Sequence, residues 1–255
     1  MVTKFRRYWQ IADILIKYQF GSIVQKLFPG TYRFRRCREC DIQSVTSVYQ
    51  RMRMAIEELG PAFVKFGQIL STRGDLLPPE LIEELKILQD HNAPLPFSEI
   101  RAVIERECPD HQACFLDIEE TPLASASIAQ VHRAKLPDGT PVVLKVQRPG
   151  IKDVIETDIL ILESFAARID YYYPQYAVYN PQGIVRDFAA QIRQELDFIH
   201  DGKNADRLRV NLQDLEKIRV PKIFWEQSTR HLLVMEYIEG VRIDHVDEIR
   251  AMGID

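Results

Sequence analysis

"TPLASASIAQVHRAKLPDGTPVVLKVQRPG", residues 121–150, is where the texture of the chain changes. Helical periodicity fades there, and β formers alternate on both sides of a tight polar turn. "PDGT" (Pro137 to Thr140) lies between two apolar-alternating runs, which is a hairpin signal. In the second run Val142, Leu144 and Val146 face one side of a strand, and Val143, Lys145 and Gln147 face the other. A lysine is thus placed on a strand directly after a hairpin.

Upstream, the first 115 residues read as helical. "VYQRMRMAIEELGPAFVKFGQIL" is periodic, with Gly60-Pro61 set to break or restart the helix. Lys65 and Gln68 are three apart and share a face, inside a stripe of Phe63, Val64, Phe66, Ile69 and Leu70. Pro79 fits a first helical turn, and Ser98 resembles an N-cap. Downstream, residues 151–210 return to helix, interrupted near "YYYPQYAVYNPQG", and "IRVPKIFWE" and "HLLVMEYIEG" read as two more strands. On one helix through "GIVRDFAAQIRQELDFIHDGKNADRLRV", Glu195 shares the stripe of Phe188, Ile192, Phe198 and Ile199. That predicts a buried carboxylate in need of a cation. Asp197 and Asp201, four apart, share a different face. The order of elements is α+β, with a basic amphipathic segment over 1–44, a helical extension over 45–115, a sheet-bearing lobe over 116–238 and a short stretch over 239–255.

The chain has 255 residues, 46% hydrophobic and 27% charged, the composition of an ordered globular protein. Its net charge of −4 is unevenly spread: residues 1–38 carry nine Lys/Arg against Asp13 alone, so the remainder carries −12. Aromatics interleave with those bases, a pattern suited to an anionic membrane surface. The alternative is a helix docked on its own domain with Arg stems covering apolar surface. Nothing resembles a nucleic-acid recognition module. No stretch approaches the length of a bilayer span, and the start lacks a secretory h-region and cleavage site. The expected location is a cytosolic or organellar interior, with peripheral membrane association. "CREC" (Cys37, Cys40) and "CPDHQAC" (Cys108, Cys114) fit no zinc ribbon, and incidental reduced thiols are expected.

Strand, loop, strand, turn and lysine-bearing strand, then a long helix with acids and "VMEYIEG" (Val234 to Gly240), is the layout of a protein-kinase N-lobe. Four stretches sharpen this: "KFGQ" (Lys65 to Gln68), "ASASIAQVH" (Ala124 to His132), "VVLKVQRPGI" with Lys145, and "ELD" (Glu195 to Asp197). In that order they resemble the KxGQ motif, Ala-rich loop, N-lobe lysine segment and ExD motif of the UbiB-like atypical kinases, also called the AarF or ADCK family. The resemblance runs from about residue 45 onward.

The resemblance implies a kinase-like N-lobe with a helical N-terminal extension, binding ATP or ADP with Mg²⁺. The Ala-rich loop (Ala124, Ser125, Ala126, Ser127, Ile128, Ala129 and Gln130) replaces the Gly-rich loop of ordinary kinases, with less backbone freedom near phosphates. Ala129 stands where many relatives have Gly. In the family this loop goes with altered nucleotide preference and suppressed kinase activity. Lys145 is expected to steady phosphates, and the backbone of Glu236 to Ile238 to meet an adenine edge. Lys65 and Gln68 belong to a helix expected over the nucleotide cleft. Glu195 and Asp197 are expected to serve Lys65, and either Asp201 or Glu195 to serve Lys145.

The implied role is a kinase or ATPase supporting isoprenoid quinone biosynthesis at a membrane. The alternative is a non-catalytic, pseudokinase-like module binding lipid or a partner. Only 17 residues follow Ile238, with no HxD loop or DFG. The expectation is therefore a C-lobe essentially absent, no catalytic residue or metal ligand in this chain, and no activity alone. A natural fragment, a frame-shift, or one half of a split protein with a separate C-lobe chain would each fit.

Overall fold

A computed structural model describes residues 2–22, 24, 47–88, 93–241, 243 and 245–253. Cys37, Cys40 and the bases from Lys26 to Arg38 lie outside the described residues. The chain divides into two units, one built from 1–95, 125–129 and 147–196, the other from 96–124, 130–146 and 197–255.

The first unit is helical: α1 (Val2–Lys17), α2 (Val48–Leu59), α3 (Pro61–Leu70) and α4 (Pro79–Lys86). Ser47 opens α2 with a capping box, its hydroxyl accepting from Gln50 N–H while the Gln50 side chain accepts from Ser47 N–H. Gly60, at φ +96°, turns the chain between α2 and α3, and Pro61 starts the new helix, where a missing N–H costs nothing.

The apolar face of α1 is used inside this unit. Ile11 and Ala12 are fully buried, Ile14, Tyr18, Phe20 and Val24 are buried, and Tyr8 donates to Ser164 Oγ at 2.7 Å. Its bases are used as well. Arg7 forks onto Asp158 at 2.7 and 2.9 Å and donates to the Leu59 carbonyl. The Asp158 carboxylate is fully buried, and burial pushes its pKa up against the pull of Arg7.

Asp158 lies on a long helix that packs along the next one. α5 (Phe97–Glu107) and α6 (His111–Cys114) belong to the second unit, so this long helix is α7 (Ile151–Tyr172), followed after a 3₁₀ turn (Pro174–Tyr179) by α8 (Pro181–Glu195). Arg193 near the end of α8 pairs with Glu156 near the start of α7, and Gln182 at the start of α8 reaches Asp170 near the end of α7, so the two run antiparallel. Ile155, Ile159, Ile161 and Phe188, Ala189, Ile192 supply their buried faces.

The second unit carries the sheet. β1 (Asp117–Ile118), β2 (Ala124–Ser125), β3 (Ala129–Lys135), β4 (Pro141–Gln147) and β5 (Leu232–Glu236) take the order β1-β3-β4-β5, with β2 also on β3. Gly139 supplies the left-handed residue of the β3–β4 turn, at φ +85°. β4 and β5 are antiparallel, with Leu144 opposite Val234 and Lys145 opposite Leu233. Val142, Leu144 and Val146 are fully buried, as the alternation predicts. α9 (Phe198–Asn211) packs on β5, where Gly202 leaves room for Trp225 and Leu233: a Cβ there would meet Trp225 at 2.6 Å and Leu233 at 3.2 Å. α10 (Val246–Ala251) completes the elements described.

Four expectations change. The helix read through 183–210 is two helices, because the chain turns at Leu196–Asp197. The stripe joining Glu195 to Phe198 and Ile199 therefore does not exist, and Glu195, with its side chain 37% exposed, is not buried. "IRVPKIFWE" is not a strand: Pro221 has no N–H to give, one bridge joins Ile223 to Met235, and a 3₁₀ turn follows at Trp225–Gln227. Ser98 is inside α5, which starts at Phe97 after Pro96. Cys108 and Cys114, expected as separate thiols, are joined as a disulfide.

A buried ion pair is costly to break and cheap to replace whole. We expect Arg7→Met to destabilise the protein by about 3–5 kcal/mol in urea unfolding, with Arg7→Met/Asp158→Leu recovering most of that loss. A single-variant loss below about 1 kcal/mol would show that the pair behaves as a surface contact.

Candidate functional site

Lys145 stands on the less buried face of β4, between Leu144 and Val146, whose side chains enter the core. Its Nζ lies 2.6 Å from Asp201 Oδ2 and 4.5 Å from the centroid of the Phe198 ring. Three features bring Asp201 there. Phe198 is fully buried and anchors the first turn of α9. Asp197 caps that helix by accepting from Ile199 N–H at 3.1 Å. The Phe198 N–H donates to the Arg230 carbonyl at 3.1 Å, which ties α9 to the segment entering β5. Of the two carboxylates open to Lys145 on sequence grounds, the structure supplies Asp201. The shorter side chain reaches because it projects from the first helical turn. Asp197 has other employment, as the cap and 3.6 Å from Arg230.

Lys65 and Glu195 form a separate pair within the helical unit, at 3.6 Å. Glu195 is the last residue of α8, so its side chain leaves the helix end half exposed. The neighbours of Lys65 explain the rest of "KFGQ". Phe66 meets Phe188 edge-on at 5.1 Å. Gly67 is where α3 approaches the end of α4: an added Cβ would sit 2.6 Å from Leu88 and 3.4 Å from Leu85 and Ile56. Gln68 donates to the Leu88 carbonyl at 3.0 Å, one of the carbonyls beyond the end of α4. Gln68 thus has a helix-terminal partner rather than sharing the direction of Lys65.

The Ala-rich loop is divided between the units: Ser125 to Ala129 fall with the helices, Ala124 and Gln130 with the sheet. Within the loop Ala126 N–H donates to the Ala129 carbonyl at 2.9 Å, and Ser127, Ile128 and Ala129 are buried. Gln130 is fully buried, with Nε2 3.0 Å from His132 Nε2. Burial pushes the His132 pKa down, so the ring is neutral; Nδ1–H then donates to the Glu119 carbonyl at 2.8 Å and Nε2 accepts from the Gln130 amide. Sequence reasoning left His132 without a role; its signal was a histidine two residues from Gln130 on one strand face.

Glu236 ends β5. Its N–H donates to the Lys222 carbonyl at 2.8 Å, and Tyr237 N–H donates to Pro141 O at 3.2 Å. The Glu236 carboxylate is held by Arg219 and by Lys222 N–H, and the Arg219 hydrogen bond lowers its pKa. Ile238 follows directly. Among the described residues no group of three or more His, Cys, Asp or Glu could hold a metal ion.

An antiparallel sheet whose strand lysine is paired to an acid on the adjoining helix defines a kinase-like N-lobe, α+β in class. Residues 87–255 match the ABC1 atypical kinase-like domain, and the chain belongs to that family. It is 42% identical over 206 residues to the "Probable protein kinase UbiB" of Marinobacter nauticus, covering 80% of this chain and 38% of that protein. The protein of that name from Aeromonas hydrophila subsp. hydrophila is 42% identical over 256 residues, covering 98% of this chain and 47% of its own length. This chain therefore spans less than half the length of those relatives. The solved complex of Rv3197 with erythromycin, from Mycobacterium tuberculosis, has a TM-score of 0.55 at 26% identity, over 78% of this chain and 50% of that one.

Lys145 and Asp201 are each about a third exposed, so their pair should contribute little to folding. Asp201→Asn is expected to change unfolding free energy by no more than about 1 kcal/mol. Gly67→Val, which overpacks the contact with Leu88, should cost about 1–3 kcal/mol. Denaturant midpoints of the two variants, measured side by side, check both.

Proposed function

We propose that this chain is the N-terminal, nucleotide-binding part of an atypical kinase or ATPase that supports isoprenoid quinone biosynthesis at a membrane. The observation that carries the nucleotide reading is the 2.6 Å contact between Lys145 Nζ and Asp201 Oδ2. An ammonium held by one carboxylate, with protons left to donate, can steady the phosphates of ATP or ADP. Asp201 orients Lys145 through that contact. The N–H groups of Glu236 and Tyr237 are committed to Lys222 and Pro141. An adenine edge would therefore use the Glu236 carbonyl and the Ile238 N–H. Among the described residues no group of three or more His, Cys, Asp or Glu would hold the Mg²⁺ that accompanies the nucleotide.

The quinone role rests on the family resemblance and on the name UbiB borne by relatives. The membrane part rests on the excess of bases over residues 1–38 and on Phe5, which is 63% exposed while most of the apolar face of α1 is buried. Among the described residues no helix is long and apolar enough to cross a membrane. Contact would be peripheral, and co-sedimentation with anionic liposomes should fall when residues 1–38 are removed; equal binding without them would contradict it.

Nucleotide binding is tested by thermal shift with Mg-ATP and Mg-ADP, since a ligand of the folded state raises the midpoint. The wild-type chain is expected to shift at millimolar nucleotide. Lys145→Met should weaken affinity at least about ten-fold, equivalent to about 1.4 kcal/mol. No wild-type shift would end the reading.

A further inference from the structure

Arg148, three residues after Lys145, directs Nε and Nη2 of its guanidinium fork at the helical unit. Nε donates to the Ala126 carbonyl at 2.8 Å, and Nη2 to Ser125 Oγ at 2.7 Å and to the Ala93 carbonyl at 2.9 Å. Its backbone N–H also donates to the Ile128 carbonyl at 2.9 Å. Two alternate carbonyls of the Ala-rich loop, those of Ala126 and Ile128, are thereby drawn toward one residue. In a planar trans peptide the C=O and the following N–H point opposite ways. The N–H groups of Ser127 and Ala129 are therefore turned away from Arg148. Pro149 and Gly150, at φ +70°, then lead into α7, and Ile151 N–H returns to the Arg148 carbonyl at 3.3 Å. The clamp is thus built into the entry of a 22-residue helix.

We propose that Arg148 is a positioning residue that sets the conformation of the Ala-rich loop and, through it, the discrimination between ATP and ADP. The selectivity half rests on the nucleotide reading above; the clamp half does not. A loop short of glycine has few backbone conformations, and fixing alternate carbonyls selects one of them. Which backbone N–H groups face a terminal phosphate follows from that selection. Lysine cannot replace arginine here, because one ammonium does not reproduce a planar fork reaching three acceptors on two segments.

The test uses the 255-residue chain and its Arg148→Ala, Arg148→Lys and Ser125→Ala variants. Hydrogen exchange of the loop amides from Ala126 to Ala129 is followed without nucleotide, and Kd is measured for Mg-ATP and Mg-ADP. Arg148→Ala and Arg148→Lys should each speed loop exchange at least about ten-fold, equivalent to about 1.4 kcal/mol of lost protection. Both should also change the ATP-to-ADP Kd ratio at least about three-fold, about 0.65 kcal/mol. Ser125→Ala, which keeps the arginine, should move both readouts the same way by less, and decides the matter if Arg148→Ala does not fold. A global loss of stability alone would lower the melting temperature without altering the ratio. Unchanged loop exchange overturns the clamp, and so does rescue by lysine. Faster exchange with an unchanged ratio overturns the selectivity role. A wild-type chain that binds neither nucleotide overturns the nucleotide reading and the selectivity role together, while loop exchange still decides the clamp.

Discussion

A lysine placed on a core strand must be given a counter-charge, and the sheet unit is arranged around that requirement. β4 is paired on both edges, by β3 and by β5, so Lys145 cannot swing away without leaving the sheet. Phe198 fixes the first turn of α9 beside it, Asp197 caps that turn, and Gly202 lets the helix approach Trp225 and Leu233 closely. The magnitudes rank the contributions to this arrangement. A pair a third exposed returns at most about 1 kcal/mol, whereas burying a side chain such as Phe198 contributes about 1.5–3 kcal/mol. Apolar packing holds the helix in place, and the ion pair is held ready by it. That ordering suits a charge kept for a ligand.

The helical unit divides its ion pairs by the same rule. Arg7 and Asp158 are buried, bidentate and joined to a helix-end carbonyl, so removing one partner strands a charge in the core. Lys65 and Glu195 meet at 3.6 Å with Glu195 half exposed, too far for a strong hydrogen bond. The first pair is structural and joins α1 to α7. Beside the second, Phe66, Gly67 and Gln68 are all spent on packing and capping.

Much of this was legible in the chain. The alternation across residues 141–147 gave the faces of β4, Gly60-Pro61 the break between α2 and α3, and the joint order of four motifs the family. What escaped reading has physical causes. The turn at Leu196–Asp197 carries no Gly or Pro, only an aspartate able to cap, so periodicity ran through it and placed Glu195 in a stripe it does not share. Gln68 and Arg148 find backbone carbonyls 20 and 55 residues away, and backbone acceptors leave no mark in a sequence. Arg7 and Asp158 are 151 residues apart, each ordinary in its own window. The basic segment shows the same limit, since composition suited a membrane surface while tertiary packing claims most of the apolar face of α1.

The central claim is that Lys145 and Asp201 act as one unit toward nucleotide. A double-mutant cycle on Mg-ATP affinity, by calorimetry, addresses it most directly. The account predicts that Lys145→Met, Asp201→Asn and the double variant lose nearly the same affinity, because removing either partner removes the unit. Additive losses, or an Asp201→Asn variant that binds as tightly as the wild type, would contradict it.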